Sequence, residues 1–179
     1  MAILDLIPFD LERAPPISIE TELHHNDESL FISYRIRSGL HLIDFGKGTP
    51  KKERVVGLWE KTCFELFIKN QLGQYIEFNF SPTFEWNCFY FDKKDDALSE
   101  WIKMTRPETD ILLSIDHFLQ FIVIKKCLFP VGFFDGSNQL HAGVTAVIKD
   151  KNKIMSYWAL SHLDSRPNFH HHDSFKYKF

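Results

Sequence analysis

Apolar and polar residues alternate along most of this chain, and a period of two is typical of β-strands. Turn-forming residues interrupt the alternation about every ten residues, while the 3.6-residue period of an amphipathic helix is weak throughout. The pattern predicts an all-β fold, namely an antiparallel two-sheet β-sandwich of jelly-roll type with at most short helices. The predicted strands are 17–23, 30–36, 40–45, 59–68, 75–81, 86–91, 111–115, 119–128, 142–148 and 154–160.

The segments outside these strands lack a clear period. Residues 1–16 are predicted as an irregular lead-in, 46–57 as a loop, and 92–108 as a long loop or one short helix. Residues 161–179 form a tail that is rich in histidine and aromatic side chains. A chain of 179 residues fits one domain, and no linker divides it, so we predict a single domain over 1–179.

Composition supports the β prediction and narrows the possible partners. Aromatic residues make up 15% of the chain, and flat rings suit the half-buried surface of a pleated sheet. The formal net charge of −3 provides no positive field for phosphate backbones, so nucleic acid is not an expected partner. No apolar run approaches the ~20 residues of a membrane helix, so a membrane is not expected as a partner either.

Cysteine usage and the N-terminal residues indicate a compartment. Cys63, Cys88 and Cys127 lie in apolar runs at irregular spacing, which predicts buried free thiols rather than a disulfide framework. The first residues do not show the pattern of a signal peptide. We therefore expect a bacterial cytoplasmic protein.

The two central strands each carry acidic or amide side chains on one face only. If Phe64, Leu66, Phe78 and Phe80 point into the core, the opposite face carries Glu65, Glu77 and Asn79 on neighbouring strands. Carboxylates and amides bond to sugar hydroxyls, while ring faces stack on the C–H side of a sugar, so this face is a candidate sugar site. The rings expected beside the polar groups are those of Phe67, Tyr75, Trp86 and Tyr90.

The same strands carry a resemblance to a known family. Segments 57–67 (GLWEKTCFELF) and 75–82 (YIEFNFSP) resemble the DOMON-like, family 9 carbohydrate-binding-module superfamily, and the tail segments 156–162 (SYWALSH) and 167–171 (PNFHH) are similar to the ending of a small stand-alone bacterial DOMON-like group. The resemblance spans about residues 17–175 and implies a β-sandwich that binds sugars in some members and haem in others.

The resemblance also implies roles for individual residues. Sugar-binding members clamp the ligand between two tryptophan rings, with acids and amides around it. By position, the residues that match the motif strands are Trp59, Glu65, Glu77 and Asn79, and Trp158 is the candidate for the second ring. The full set of ligand-binding residues that we predict is Trp59, Glu65, Glu77, Asn79, Trp86, Trp158 and His162.

Metal and haem are weaker alternatives, and no cofactor is predicted. The run from His170 to Asp173 suggests a metal, with His141 or His162 to complete the site, but adjacent histidines also serve as ordinary hydrogen-bonding loop residues. Haem ligation would need histidine or methionine, and no Cys-x-x-Cys-His motif is present. The side chains available for haem are Met104, Met155, His41, His117 and His162.

Three functions stay open from the sequence. The first, which we favour, is a non-catalytic domain that binds a small saccharide or sugar derivative on one sheet face. The second is a glycoside-active enzyme that uses Glu65 and Glu77 as acid and base. The third is an interaction protein whose aromatic face pairs with another protein or with a second copy of itself.

Overall fold

The protein is almost entirely β-structure, as the alternation predicts. The computed structural model describes residues 2–47, 51–93, 97–134 and 140–178. Short 3₁₀ helices lie at Leu40–Leu42, Leu58–Glu60, Lys126–Leu128 and His172–Ser174. The strands in the described ranges are β1 (Ala2–Pro8), β2 (Ser18–His25), β3 (Ser29–Arg37), β4 (Cys63–Lys69), β5 (Tyr75–Phe80), β6 (Trp86–Phe91), β7 (Glu108–Leu113), β8 (His117–Lys125), β9 (His141–Lys149), β10 (Met155–Ala159) and β11 (Tyr177–Lys178).

One curled antiparallel sheet supplies both layers of the sandwich. Its strand order is β6-β5-β4-β9-β10-β1-β2-β3-β8-β7. Strand β1 joins the two halves, because Ala2–Leu6 pair with β2 whereas Ile7 and Pro8 pair with β10. We call β6-β5-β4-β9-β10 the front sheet and β2-β3-β8-β7 the back sheet. Strand β11 pairs with the start of β9, beside β10 on the same edge.

The main core lies between the two sheets. The ring of Phe64 in the front sheet packs 4.9 Å from the ring of Tyr34 and 5.2 Å from the ring of Phe118, both in the back sheet. The Tyr34 hydroxyl donates a 2.7 Å hydrogen bond to the backbone carbonyl of Glu65. The predicted inward residues of the central strands are all buried in this core, which confirms the face assignment: Phe64, Leu66, Ile68, Ile76, Phe78 and Phe80.

A second apolar layer covers the outer face of the front sheet. Phe67, Tyr75, Phe89 and Phe91 point outward from β4, β5 and β6 and are buried together with Phe175 from the tail. Gly143 on β9 makes room for this contact, because a Cβ atom there would lie 2.7 Å from Cδ1 of Phe175. The tail therefore acts as a third layer over part of the sandwich.

Several sequence-based boundaries were wrong. The lead-in contains β1, which forms because β2 and β10 supply its hydrogen-bonding partners from distant parts of the chain. Segment 40–45 contains a 3₁₀ helix at Leu40–Leu42 rather than a strand. Trp59 lies in the 3₁₀ helix Leu58–Glu60, before β4 begins at Cys63. These errors share a cause, since local alternation does not show where a segment finds its partners.

The loop predictions and the cysteine prediction have mixed outcomes. In the described parts of segments 46–57 and 92–107, the only β-pairing is by isolated bridges, at Arg54 and Glu100. Residues 48–50 and 94–96 lie outside the described residues. Cys63 and Cys88 are buried free thiols as expected, whereas Cys127 is exposed.

Among the described residues, no helix is long and apolar enough to cross a bilayer.

Candidate functional site

A cavity of about 300 Å³ opens on the outer face of the front sheet. Its floor is formed by Glu65 and Phe67 of β4, Glu77 of β5, Val147 of β9 and Tyr157 of β10. A larger hollow of about 810 Å³ adjoins the β2–β3 turn. The acidic side chains of that hollow are exposed, whereas the smaller cavity contains buried charged groups, so the smaller cavity is the better candidate site.

The chain closes the cavity from three other places. Trp59 comes from the 3₁₀ helix Leu58–Glu60, which is anchored by the fully buried Leu58. Its ring meets Phe89 edge-on at 5.9 Å. The tail adds Pro167, Asn168, Phe169 and His170, and Leu98 completes the lining. Phe169 in turn packs edge-on against the ring of Tyr157 at 6.2 Å. Rings therefore enter from the 3₁₀ helix, the sheet and the tail.

Glu65 is buried at the centre of the front sheet. Its side chain is only 2% exposed, and its cross-strand neighbours are Asn79 on β5 and Thr145 on β9. The Thr145 hydroxyl donates a 2.9 Å hydrogen bond to Oε2 of Glu65. The carboxyl group is thus held by a neutral partner, and no Lys or Arg of the described residues forms an ion pair with it.

Glu77 lies on the neighbouring strand and is held from both sides. Nδ2 of Asn79 donates a 2.6 Å hydrogen bond to Oε1 of Glu77. Nε2 of His170 lies 3.6 Å from Oε2 of Glu77, and Nδ1 of the same ring is 3.0 Å from the Tyr75 hydroxyl. Asn79 itself is fully buried and accepts a weak 3.4 Å hydrogen bond from Sγ of Cys63. Asn79 therefore orients Glu77 rather than lining the cavity.

Both carboxyl groups hold their protons to a higher pH than an exposed glutamate does. Burial, and then the charge of Glu77, raise the pKa of Glu65 well above its ordinary value, although the Thr145 hydrogen bond lowers it. Burial raises the pKa of Glu77 to about 7, against an opposing effect from Asn79. Because two buried acids at close quarters cannot both ionise easily, the pair titrates as a unit. Around pH 7 it can both donate and accept hydrogen bonds.

The structure brings together three of the predicted site residues and places a fourth behind them. Trp59, Glu65 and Glu77 line the cavity, and Asn79 holds Glu77. The cavity is also lined by Tyr157, Asn168 and Phe169, which were not predicted as ligand contacts from the sequence. It is lined as well by His170, which was predicted only as a metal candidate. The sequence did indicate that Tyr157 faces outward. Along β10, Met155 and Tyr157 lie on the face opposite that of Ser156 and Trp158.

The two other predicted tryptophans face the wrong way for this cavity. Trp158 is 3% exposed in the inter-sheet core, and its Nε1 donates a 2.9 Å hydrogen bond to the Ser156 hydroxyl. Trp86 also belongs to that core, with the Arg54 guanidinium 4.3 Å above its ring. Tyr90, expected on the outer face, packs against the same core and against Trp101. Strand alternation gives the reason, since Trp158 is the neighbour of the outward-facing Tyr157.

His162 also lies apart from the cavity. Its Nε2 is 2.9 Å from the backbone carbonyl oxygen of Ile7, and its ring meets Phe9 edge-on at 5.3 Å. These contacts fasten the start of the tail to the end of β1. His162 therefore has a structural role in the tail and does not line this cavity.

The histidine run does not converge on a metal site. His170 engages Tyr75 and Glu77, while Nδ1 of His171 accepts a 3.2 Å hydrogen bond from the backbone N–H of Asp173. Across the described part of the chain, no three His, Cys, Asp or Glu side chains are grouped to hold an ion. Nothing is described of the side chain of His172.

Comparisons with known proteins show a shared fold at low sequence identity. No protein-family model and no curated protein matches this chain significantly. A proposed carbohydrate-binding protein from Bacteroides uniformis is 12% identical, with a TM-score of 0.66 over 95% of this chain and 82% of the other.

Two further similar structures are of a family 9 carbohydrate-binding module from Caldicellulosiruptor kristjanssonii. In its glucose complex the module is 9% identical, with a TM-score of 0.54 over 87% of this chain and 73% of the module. In its cellotriose complex it is 8% identical, with a TM-score of 0.50 over 87% and 72%. These matches confirm the β-sandwich fold that the resemblance implied. The DOMON-like part of the resemblance stays a prediction.

Proposed function

We propose, from the fold that this chain shares with family 9 carbohydrate-binding modules, that it binds a small saccharide without chemically changing it. The proposed site is the cavity on the outer face of the front sheet. The observation that carries the proposal is the position of two buried carboxyl groups, Glu65 and Glu77, in the floor of a cavity walled by aromatic rings.

The similar structures support a sugar rather than another small molecule. The Caldicellulosiruptor kristjanssonii module was solved with glucose and with cellotriose, and the Bacteroides uniformis protein is described as carbohydrate-binding. The cavity of about 300 Å³ is at the small end of the usual range for ligand sites, roughly 300–1,000 Å³. A ligand of one or two sugar rings suits that size.

The chemistry of the lining suits both sides of a sugar ring. A protonated carboxyl group and an ionised one beside it can together donate one hydrogen bond to a hydroxyl oxygen and accept others from hydroxyls. Trp59, Tyr157 and Phe169 offer apolar ring surface to the C–H groups. Asn79 and Thr145 hold the carboxyl groups in place from behind, so little side-chain entropy is lost when the ligand binds.

Binding is favoured over glycoside hydrolysis by the surroundings of the acids. A glycosidase needs one carboxyl group that stays ionised and one that delivers a proton. Here burial raises the pKa of both acids, which disfavours the ionised form that one of them would need. Incubation with chromogenic glycosides is expected to release no chromophore, and steady release that is lost in Glu77→Gln would instead support the enzyme.

Titration with sugars tests the proposal directly. Glucose, cellobiose and cellotriose are added to the full chain, and binding is followed by calorimetry and by tryptophan fluorescence. We expect saturable binding of at least one sugar, weakened at least tenfold in Trp59→Ala, because that ring lines the cavity.

A matched control separates loss of binding from loss of folding. Phe31 is a partly exposed ring on the outer face of the back sheet, stacked on His24 and far from the cavity in the topology. Phe31→Ala should leave sugar affinity unchanged. Binding of no sugar, or equal affinity of the wild type and a folded Trp59→Ala variant, would exclude this function for the cavity.

A further inference from the structure

We infer that the sugar bound in this cavity carries an ammonium group, so that the site selects a cationic amino sugar over the corresponding neutral sugar. The inference rests on the proposed function, because it names the class of saccharide that the same cavity takes. It is carried by the balance of charge in the cavity wall, the incomplete bonding of Glu77 and the chemistry of the surrounding rings.

The cavity wall is acidic. Glu65 and Glu77 both line it, and among its described lining residues the only basic side chain is that of His170. Removing two carboxylates from water is costly unless a cation or several hydrogen bonds compensate. The hydrogen bonds that are present come from neutral donors, namely Thr145 and Asn79. A ligand cation beside the acids would allow them to ionise with a charge partner in place.

One carboxylate oxygen is incompletely bonded. Oε2 of Glu77 is buried and accepts no hydrogen bond from the residues that the structure describes. Nε2 of His170 is 3.6 Å away, which is an ion-pair distance but too long for a good hydrogen bond. An ammonium group brings three donors and a full charge, so it can satisfy the acid pair where a single sugar hydroxyl cannot.

The rings around the acids also favour a cation. Trp59, Tyr157 and Phe169 line the same cavity, and the faces of aromatic rings attract ammonium groups. By comparison, the carboxylate of an anionic sugar such as a uronic acid would oppose ionisation of both acids. A neutral sugar would use the rings and hydrogen bonds but would offer no charge to stabilise an ionised acid.

Proton release gives the inference a second readout. A bound cation stabilises the ionised forms of Glu65 and Glu77, so binding near pH 7 should expel protons from the pair. Other titratable groups near the pair are His170, Tyr75 and Tyr157. Burial raises the pKa of the side chains of Cys63, Cys88 and Tyr34, so these three stay neutral. Glucose should expel fewer protons than glucosamine.

The test compares three sugars that differ at one position. Glucosamine, glucose and N-acetylglucosamine are titrated into the full chain at pH 7, in two buffers of different ionisation enthalpy. We expect glucosamine to bind at least tenfold more tightly than the other two and to release protons. The preference should shrink as salt is added, because charge provides it.

Two variants locate the effect. Glu77→Gln keeps the shape of the side chain and removes its charge, and it should reduce the preference for glucosamine over glucose at least fivefold. Glu60→Gln makes the same change on an exposed residue next to Trp59 and should leave the preference intact. Melting curves of both variants check that they fold. If Glu77→Gln does not fold, the comparison of the three sugars on the wild-type protein still tests the inference.

The free sugar and the chain end are distinguished in the same assay. The β-1,4-linked disaccharide of glucosamine is compared with cellobiose. If the glucosamine disaccharide binds more tightly than glucosamine, the site takes a chain end; if it binds more weakly, the site takes the free amino sugar. In both cases the amino sugar must bind more tightly than the neutral sugar of the same length. Equal affinity for glucose and glucosamine overturns the inference and leaves the proposed function standing, whereas binding of no sugar removes both.

Discussion

The outer faces of the two sheets carry acidic residues in very different surroundings. On the back sheet, Glu20 and Glu22 lie partly in solvent and pair with arginines of the neighbouring strand, for example Glu20 with Arg37 at 3.2 Å. On the front sheet, Glu65 and Glu77 are at most 4% exposed and are held by threonine, asparagine and histidine side chains. The alternation along the strands is the same in both places.

The difference arises from what covers each face. The back sheet has charged side chains of both signs facing solvent, where ion pairs contribute little to stability and little strain is stored. The front sheet is covered by Trp59 and by the tail, which remove its acids from water. An acid kept in a dry, ring-lined cavity at a cost in stability is typical of a functional site, and an acid paired in solvent is typical of a soluble surface.

The strongest test of this comparison removes the tail's main anchor. Phe175 is 3% exposed and packs against Phe67 and Tyr75, so Phe175→Ala should lower the free energy of unfolding by about 3–5 kcal/mol. Phe31 on the back sheet is partly exposed, so Phe31→Ala should lower the free energy of unfolding by less than about 2 kcal/mol. Chemical denaturation measures both, and equal costs would mean that the tail is not a true layer of the fold.

The next test uses pH. The pKa of Glu77 is about 7 in the folded protein against an ordinary 4.5, so folding favours the protonated form. Its stabilising contribution is therefore complete below pH 4.5 and is lost as pH rises through 7, which amounts to about 3 kcal/mol. Denaturation midpoints between pH 5 and 8.5 should fall in the wild type and vary much less in a Glu65→Gln, Glu77→Gln double variant.

The control for the pH test lies on the other face. Glu22→Gln changes an acid whose partner is Arg35 at 3.8 Å, and it should retain the wild-type pH dependence above pH 5. A double variant at Glu65 and Glu77 that follows the wild-type curve would show that the buried acids do not differ from those in solvent.

A smaller effect should come from filling the space that Gly143 leaves. A Cβ atom there would meet the ring of Phe175 at 2.7 Å, so Gly143→Ala should cost about 1–3 kcal/mol through displacement of the tail. In a Phe175→Ala background the same change should cost at least 1 kcal/mol less, because the clashing ring is absent. If the losses of stability from Gly143→Ala and Phe175→Ala simply add, Gly143 is needed for the geometry of β9 and not for its contact with Phe175.

The smallest effect is expected on the back sheet. Glu20→Gln breaks ion pairs with Arg35 and Arg37 that are partly exposed, so it should change the free energy of unfolding by less than about 1 kcal/mol. The change should shrink further in high salt. A loss of several kcal/mol, measured by denaturation, would indicate that the two faces are held in the same way.

The sequence predicted much of the sheet and about half of the site. Six strands were predicted within two residues of their observed ends, because alternation or a run of β-forming residues marks each of them: β2, β3, β5, β6, β9 and β10. The positions of Glu65 and Glu77 followed from alternation alone. Trp158, implied by the resemblance, and Trp86, predicted as an outer-face ring, both lie in the core instead of lining the cavity.

Alternation by itself determined which side chains of β4 and β5 enter the core and which lie on the outer face, since the backbone of a strand sends successive residues to opposite sides. Tertiary structure alone decided what that outer face meets. Residues near 59, 98, 157 and 167–170 reach the same two glutamates from distant parts of the chain. No local pattern encodes such contacts, because they depend on how the whole sheet curls and on where the tail settles.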